Sequence, residues 1–305
     1  MSDTSTEGIY IIASSDVLLE KNIFRRNNIE NIYGYFPAAV KIFNQCYRAT
    51  CRDNLVIDHP NSNGIWYDVG NVNGVFINNW IVGTDNGFFF EISKGAICAG
   101  NVFVNCPTGI KVLNSCDVQV YQNTLVNSGA TFERTARSAV NDHFGWHPST
   151  GPDVNDRDGH TFVNNLIAVD EQFRRPLLQI RQPSFLRQRL TEPQLKQLDY
   201  NVYVRRANPA SQPLIVWSPA ATANSLLNIQ SPAELTKLHP EFSAHSKDFE
   251  NYDGPLFRCI ELDNYELLKA FPGSSAASPL PTEIRKLLDR PKKESRVPGA
   301  FPLCP

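Results

Sequence analysis

Two acidic residues, Asp68 and Glu91, occupy the same position in two copies of one short sequence pattern. The first copy reads GIWYDV and begins at Gly64, and the second reads GFFFEI and begins 23 residues later, at Gly87. If the two copies are neighbouring strands of a parallel sheet, the strands lie about 4.7–4.9 Å apart. The pattern therefore predicts two carboxyl groups stacked at a separation of roughly 5 Å.

Two carboxyl groups at this separation can act together on a glycosidic bond. Retaining glycosidases hold their two carboxyl groups about 5–5.5 Å apart, whereas inverting enzymes leave about 6.5–9.5 Å for a water molecule. At about 5 Å and an effective dielectric constant of about 20, the mutual repulsion is about 3 kcal/mol. This repulsion keeps one carboxyl protonated near neutral pH, as a general acid must be. Stacked acids also occur by chance on a charged surface, so a purely structural pair is the alternative.

The aromatic residues two positions before each acid favour the catalytic interpretation. Because side chains alternate along a strand, Trp66 and Phe89 share the outward face with the acids and stack on each other. An exposed aromatic pair needs an explanation, and it suits the apolar face of a sugar ring. On the next copy, Lys111 lies at the same position. We therefore predict Trp66, Phe89 and Lys111 as substrate-binding residues.

The elements that position these side chains repeat with a period of about 22 residues. A third copy, GIKVLN, begins at Gly109, and the strand-like runs between copies are reached through Asn79, Asn101 and Asn123. Short β-branched or aromatic runs at such a period, with Gly and Asn at the corners, are typical of a parallel β-helix. Stacked asparagines hydrogen-bond in register as a ladder. The inward face of the copies predicts the core: Ile65, Tyr67, Val69, Phe88, Phe90, Ile92, Ile110 and Val112.

The pattern WYD followed 23 residues later by FFE resembles glycoside hydrolase family 120, whose members are retaining β-xylosidases built on a right-handed parallel β-helix. The resemblance covers mainly residues 8–180. It implies that Asp68 is the nucleophile and Glu91 the acid/base, and that the substrate is an oligosaccharide or polysaccharide. Related β-helix hydrolases that act on other sugars share similar short sequence motifs.

A polar insertion rich in Gly, Pro and Asp interrupts the repeat at residues 130–160. A loop of this length is often functional, and it follows the copy after Glu91. We predict a substrate-binding lid that uses His143, Trp146 and His147; a surface insertion is the alternative. The histidine spacing matches no zinc pattern, and the seven cysteines form no CxxC pair. The sequence therefore predicts no metal and no cofactor.

The chain divides into a parallel β-helix catalytic domain at 1–230 and a mixed, partly helical C-terminal capping segment at 231–305. Helices are predicted to start after Ser231 and at 281–288, and a short one at 190–198. Only seven residues precede Gly8, so we expect the given sequence to leave the first coil without a cap. We expect the chain to be the C-terminal part of a longer protein, or a partner copy to cover this end.

Composition sets the remaining expectations. A net charge of −2 over 305 residues gives no basis for binding nucleic acid or a membrane surface. The first residues lack a signal peptide and no stretch has the length of a transmembrane helix, so the compartment stays undefined. The predicted function is a retaining, β-xylosidase-like glycoside hydrolase. The alternatives are a polysaccharide lyase and a non-catalytic carbohydrate-binding β-helix.

Overall fold

A computed structural model describes residues 1–34, 36–137, 157–207, 212–291 and 296–301. Strands dominate this part of the chain, and they form one 15-stranded sheet, one 7-stranded sheet and a two-stranded hairpin. Almost all pairs in the two large sheets are parallel. Among the described residues, no helix is long and apolar enough to cross a membrane.

The parallel strands form three ladders, in which each strand pairs with its counterparts in the preceding and following coils. Ladder 1 contains Ile9–Ile12, Ala38–Phe43, residues 63–68, residues 86–91, Thr108–Leu113, Gly129–Glu133, Leu178–Arg181 and Ile215–Trp217. Ladder 2 contains Leu18–Glu20, Thr50–Arg52, Val72–Ile77, Lys94–Ala99, Cys116–Tyr121, His160–Val163 and Leu195–Asp199. Ladder 3 contains Ile23–Arg25, residues 55–59, residues 80–84, Val102–Val104, Thr124–Val126, Leu166–Val169, Val202–Arg205 and Lys247–Glu250. This is the pairing of a parallel β-helix. Leu55–Asp68 and Trp80–Glu91 each run through ladders 3 and 1 as one continuous strand.

A buried asparagine ladder marks the corner between ladders 2 and 3. Each amide Nδ2 donates to the Oδ1 of the next asparagine at 2.9–3.1 Å. The members are Asn22, Asn54, Asn79, Asn101, Asn123, Asn165 and Asn201. The residue before each of them has a φ between +53° and +67°, which turns the chain at the corner. The predicted stacking of Asn79, Asn101 and Asn123 is confirmed, with a central spacing of 22 residues.

All eight predicted core residues are buried, and six of them lie in the main core cluster. The main core cluster includes Ile65, Tyr67, Phe88, Phe90, Ile110 and Val112. Val69 and Ile92 are buried as predicted, at 0% exposure, but they lie outside the main cluster. Each follows the last residue of its strand with a positive φ, +46° and +43°, so the period of two ends before them. They pack with Phe43 in a separate small cluster.

Two other boundaries differ from the sequence prediction. The start of the predicted insertion at 130–160 overlaps Gly129–Glu133, which is a strand of ladder 1. The last residue of the predicted insertion, His160, begins a strand of ladder 2. The predicted helix at 190–198 is wrong, because Leu195–Asp199 pairs with His160–Val163 as a strand. Leu195 and Leu198 are buried in the main core, and this tertiary packing overrides local helix preference.

The C-terminal segment contacts both the end and the side of the stack. Helix α1, Pro232–Leu238, begins as predicted after Ser231, whose Oγ accepts the Glu234 N–H at 3.2 Å. Its Leu235 joins the main core. A hairpin of Phe257–Cys259 and Asn264–Leu267 packs on the outward side chains of ladder 3.

The predicted second helix is present as α2, Thr282–Leu287. It packs on outward side chains of ladder 2, including Ile97 and Tyr121. Two short 3-10 helices, Ser184–Leu186 and Ile260–Leu262, complete the elements. The predicted division at residue 230 stays a prediction.

At the opposite end of the stack the first coil exposes apolar side chains. Tyr10, Ile12, Leu18 and Ile23 are each about half exposed. What covers this end stays a prediction.

Candidate active site

The predicted register of the two acids is confirmed. Asp68 lies opposite Glu91, and Trp66 lies opposite Phe89, on neighbouring strands of ladder 1. The strand before them places Lys41 beside Trp66. The register follows from the pattern itself, because a shift of one residue would turn Ile65, Tyr67 and their counterparts out of the core.

The aromatic pair forms the centre of a four-membered stack. The rings of Trp66 and Phe89 are 4.9 Å apart and nearly parallel, at 10°. Lys41 Nζ lies 3.9 Å from the centroid of the Trp66 ring, and Lys111 Nζ lies 4.8 Å from that of Phe89. Both outer ring faces therefore meet a lysine of the adjoining coil.

The prediction of an exposed aromatic platform is wrong. Trp66 is 0% exposed and Phe89 is 6% exposed. The physical reason is the spacing of the coils: a strand separation near 4.8 Å lets side chains of adjacent coils fill each other's ring faces. A role of Trp66 and Phe89 in binding substrate stays a prediction, and in the structure they hold the two lysines.

Asp68 is paired with a buried cation. Lys41 Nζ lies 3.2 Å from Asp68 Oδ2, and both side chains are almost fully buried. An ammonium group at this distance favours the ionised form of a carboxyl. Lys41 is not among the site residues that the sequence predicts. Its alignment with Trp66 in the stack is the signal that would have placed it in the site.

Glu91 is fully buried and has a raised pKa. Burial is the main cause, repulsion by Asp68 adds to it, and Arg137, Lys111 and Lys41 act in the opposite direction; the resulting pKa is about 7. Arg137 Nη1 donates a hydrogen bond to Glu91 Oε1. Among the described residues, the buried Oε2 has no hydrogen-bond partner. Near neutral pH the pair can thus hold one proton on Glu91 beside an ionised Asp68.

Backbone strain accompanies both acids. Val69 and Ile92, which directly follow Asp68 and Glu91, have positive φ values, an unfavourable conformation for β-branched residues. In the coils on either side, asparagines occupy this corner, Asn44 and Asn114, which tolerate it better. Each strained residue costs on the order of 1–3 kcal/mol, and such outliers cluster at functional sites.

Arg137 reaches Glu91 from a segment held by buried arginines. Arg134, whose side chain is buried, donates from Nε to the Arg157 carbonyl oxygen at 2.7 Å. Arg157, also buried, hydrogen-bonds the Thr135 carbonyl oxygen and Asn114 Oδ1. These bonds connect residues 134–137 to Arg157. Residues 138–156, between them in sequence, lie outside the described part of the chain. Sequence reasoning missed Arg137, because no repeat position points to it.

Lys111, the other predicted substrate-binding residue on the stack, lies over the Phe89 ring, on the coil after Glu91, and is half-buried. The three remaining candidates, His143, Trp146 and His147, lie outside the described residues. The structure thus brings together Asp68, Glu91, Trp66, Phe89 and Lys111, and it adds Lys41 and Arg137.

A profile of the NosD family, described as periplasmic copper-binding protein, matches residues 1–151 of the chain. This stretch contains both acids and supports a parallel β-helix protein. It does not support glycoside hydrolase family 120 specifically. No curated protein and no solved structure shows significant similarity to the chain.

Proposed function

We propose that this protein is a retaining glycoside hydrolase in which Asp68 is the nucleophile and Glu91 the acid/base. The observation that supports it best is the asymmetry of the stacked pair. Asp68 is held by Lys41 at 3.2 Å, whereas burial and Asp68 raise the pKa of Glu91 to about 7. Two carboxyl groups whose surroundings separate their protonation states are what a nucleophile and an acid require.

The first step would form a glycosyl-enzyme ester. An oxygen of Asp68 attacks the anomeric carbon, the bond to the leaving-group oxygen breaks, and the proton of Glu91 passes to that oxygen. In the second step the Glu91 carboxylate takes a proton from water, the water oxygen bonds to the anomeric carbon, and Asp68 is released. Two inversions at one carbon give net retention.

Arg137 and Lys41 have distinct parts in this scheme. Lys41 favours the ionised form of Asp68, whose oxygen attacks the sugar. Arg137 contacts Glu91 Oε1, where the glycosidic oxygen could receive the proton, so its guanidinium has to move when substrate binds. The buried carboxyls, 2% and 0% exposed, require the same displacement.

The finer features of the proposal come from the resemblance to family 120. They are a right-handed coil, the usual hand of parallel crossovers, and a β-xyloside as the first substrate to test. The exo or endo mode of action is not part of the proposal.

A non-catalytic parallel β-helix is the second candidate. The observation in its favour is that Asp68 and Glu91 are both buried and both ion-paired, as in a structural charge network. Such a protein would use the outer surface of the stack for binding and would cleave nothing.

Copper binding, which the description of the matched family raises, does not fit the described residues. No group of three or more His, Cys, Asp or Glu side chains among them is placed to hold a metal ion. Five of the described cysteines are buried, and they pack as apolar residues of the core or its border. We therefore derive no step through copper. Periplasmic location, the other part of that description, would suit an enzyme that acts on imported oligosaccharides.

The test is hydrolysis of a panel of nitrophenyl glycosides, with the β-xyloside first. We expect cleavage with retention, followed by NMR of the released sugar. Asp68→Ala should abolish turnover, and Glu91→Ala should be rescued by azide as a glycosyl azide of retained configuration. Glu133→Ala, in the same outward row of ladder 1, is the matched control and should stay active. A folded wild type that cleaves no glycoside would exclude the hydrolase and favour the second candidate.

A further inference from the structure

Lys111 is a cation of the candidate site that has no ion-pair partner among the described residues. Its Nζ lies over the Phe89 ring at 4.8 Å, and it contributes to the electrostatic environment of Glu91. Lys41 and Arg137 are ion-paired with the two acids, but Lys111 forms no ion pair with any described residue. The side chain is only half-buried, so a ligand can reach it.

Protonation of Glu91, which the proposed catalysis needs, makes the net charge of the candidate site more positive. When Glu91 carries the proton of a general acid, its attraction for Arg137 is lost. Lys111, which has no ion pair among the described residues, then also loses the attraction of the Glu91 carboxylate. Cations in a partly buried site are costly without a counter-charge. A substrate that carries a carboxylate would supply one.

Ring stacking does not offer an alternative source of binding energy at this place. Both faces of the Trp66–Phe89 pair are filled by lysines, so a neutral sugar finds no free ring face there. Charge is therefore the recognition element that the described side chains present to a ligand.

We propose that the substrate is a glycoside of an acidic sugar, whose carboxylate binds Lys111 and the guanidinium of Arg137. This inference rests on the proposed function. A β-glucuronide is a β-xyloside with a carboxylate on its ring carbon, so it keeps the hydroxyl arrangement of a xyloside. As its carboxylate attracts Arg137 away from Glu91, the acid is freed for the leaving-group oxygen.

The test compares nitrophenyl β-D-glucuronide, β-D-glucoside and β-D-xyloside, which differ only in the ring substituent: a carboxylate, a hydroxymethyl group or hydrogen. We expect wild-type kcat/KM for the glucuronide to exceed that for the xyloside by about 10- to 100-fold, the effect of a charge-assisted hydrogen bond. Lys111→Met, which keeps an unbranched apolar stem over Phe89, should bring the ratio of kcat/KM for the glucuronide to kcat/KM for the xyloside close to one. Lys111→Arg should retain it.

Equal rates on all three glycosides, or a loss in Lys111→Met that is the same for each, would overturn the inference and leave the hydrolase intact. If a folded wild type cleaves none of them, the proposed hydrolase activity is excluded. Calorimetry with D-glucuronate and D-xylose then tests whether the site binds an acidic sugar. Glucuronate binding that Lys111→Met abolishes would support acidic-sugar recognition without hydrolysis. Absence of glucuronate binding would overturn it.

Discussion

Lys41 Nζ lies 3.2 Å from the carboxylate of Asp68 and 3.9 Å from the centroid of the Trp66 ring. One buried ammonium group is thus fixed between the predicted nucleophile and the predicted aromatic platform. This contact links the outward row of Lys41, Trp66, Phe89 and Lys111 to the row that contains the acids. It also explains why Trp66 is buried: its ring face serves a cation of the protein.

Lys41→Met should impair both the proposed reaction and the fold. Asp68 would lose the cation that favours its ionised form, so we expect kcat/KM to fall by about 10- to 100-fold, as for the loss of a charge-assisted hydrogen bond. Removing one member of a buried ion pair costs about 3–5 kcal/mol of unfolding free energy. Chemical denaturation measures this cost, and Lys41→Arg is the control that restores charge. An active Lys41→Met enzyme with unchanged stability would contradict this role.

The pH profile should report on Glu91. With its pKa raised to about 7, kcat/KM is expected to fall as the pH rises through about 7, because the acid loses its proton. Arg137 lowers the pKa of Glu91, so Arg137→Gln should move this alkaline limb to higher pH. Arg181→Gln, an exposed arginine on ladder 1, is the matched control and should leave the limb in place. A limb that Arg137→Gln does not move, or moves downward, would show that another group controls it.

Stability should depend on pH through the same residue. The pKa of Glu91 is about 7 in the folded chain, against an ordinary value of 4.5. The folded state therefore binds the extra proton between these values, and unfolding free energy falls as the pH rises through this window. Glu91→Gln lacks this dependence. We expect the stability of Glu91→Gln relative to wild type to increase from about pH 4.5 to about pH 7 in denaturation experiments; a constant difference would contradict the raised pKa.

The asparagine ladder should be most sensitive at its centre. Asn101 Nδ2 donates to the Phe76 carbonyl oxygen and to Asn123 Oδ1, both at 2.9 Å, and its Oδ1 accepts from the Asn79 backbone N–H at 2.8 Å. Asn101→Ala leaves buried partners unsatisfied, and we expect a loss of about 3 kcal/mol of unfolding free energy.

The matched control for Asn101 is Asn22→Ala, at the end of the ladder, where the residue is only partly buried. This change should cost about 1 kcal/mol. Equal losses at both positions would show that the stacking of amides is not what stabilises the corner.

Much of the fold could be predicted because the repeat is local and its period is strict. Glycine starts, alternating core positions and stacked asparagines fix the register of Asp68 against Glu91, since a one-residue slip would turn the apolar side chains out of the core. The prediction failed where an element depends on a distant partner. Leu195–Asp199 is a strand because His160–Val163 and the core lie beside it. Val69 and Ile92 are buried outside the main core cluster because the chain turns there with a positive φ.

The sequence by itself determined which residues share a face and which strands are neighbours, because parallel stacking converts a period in the chain into a period in space. It thereby placed Asp68 beside Glu91 and Trp66 beside Phe89. Only the tertiary structure decided the chemistry around them. It buried both acids, and it brought Lys41 to Asp68 and Arg137 to Glu91, residues that lie up to 46 positions apart. Desolvation and charge depend on that three-dimensional surrounding, which the spacing of residues along the chain does not encode.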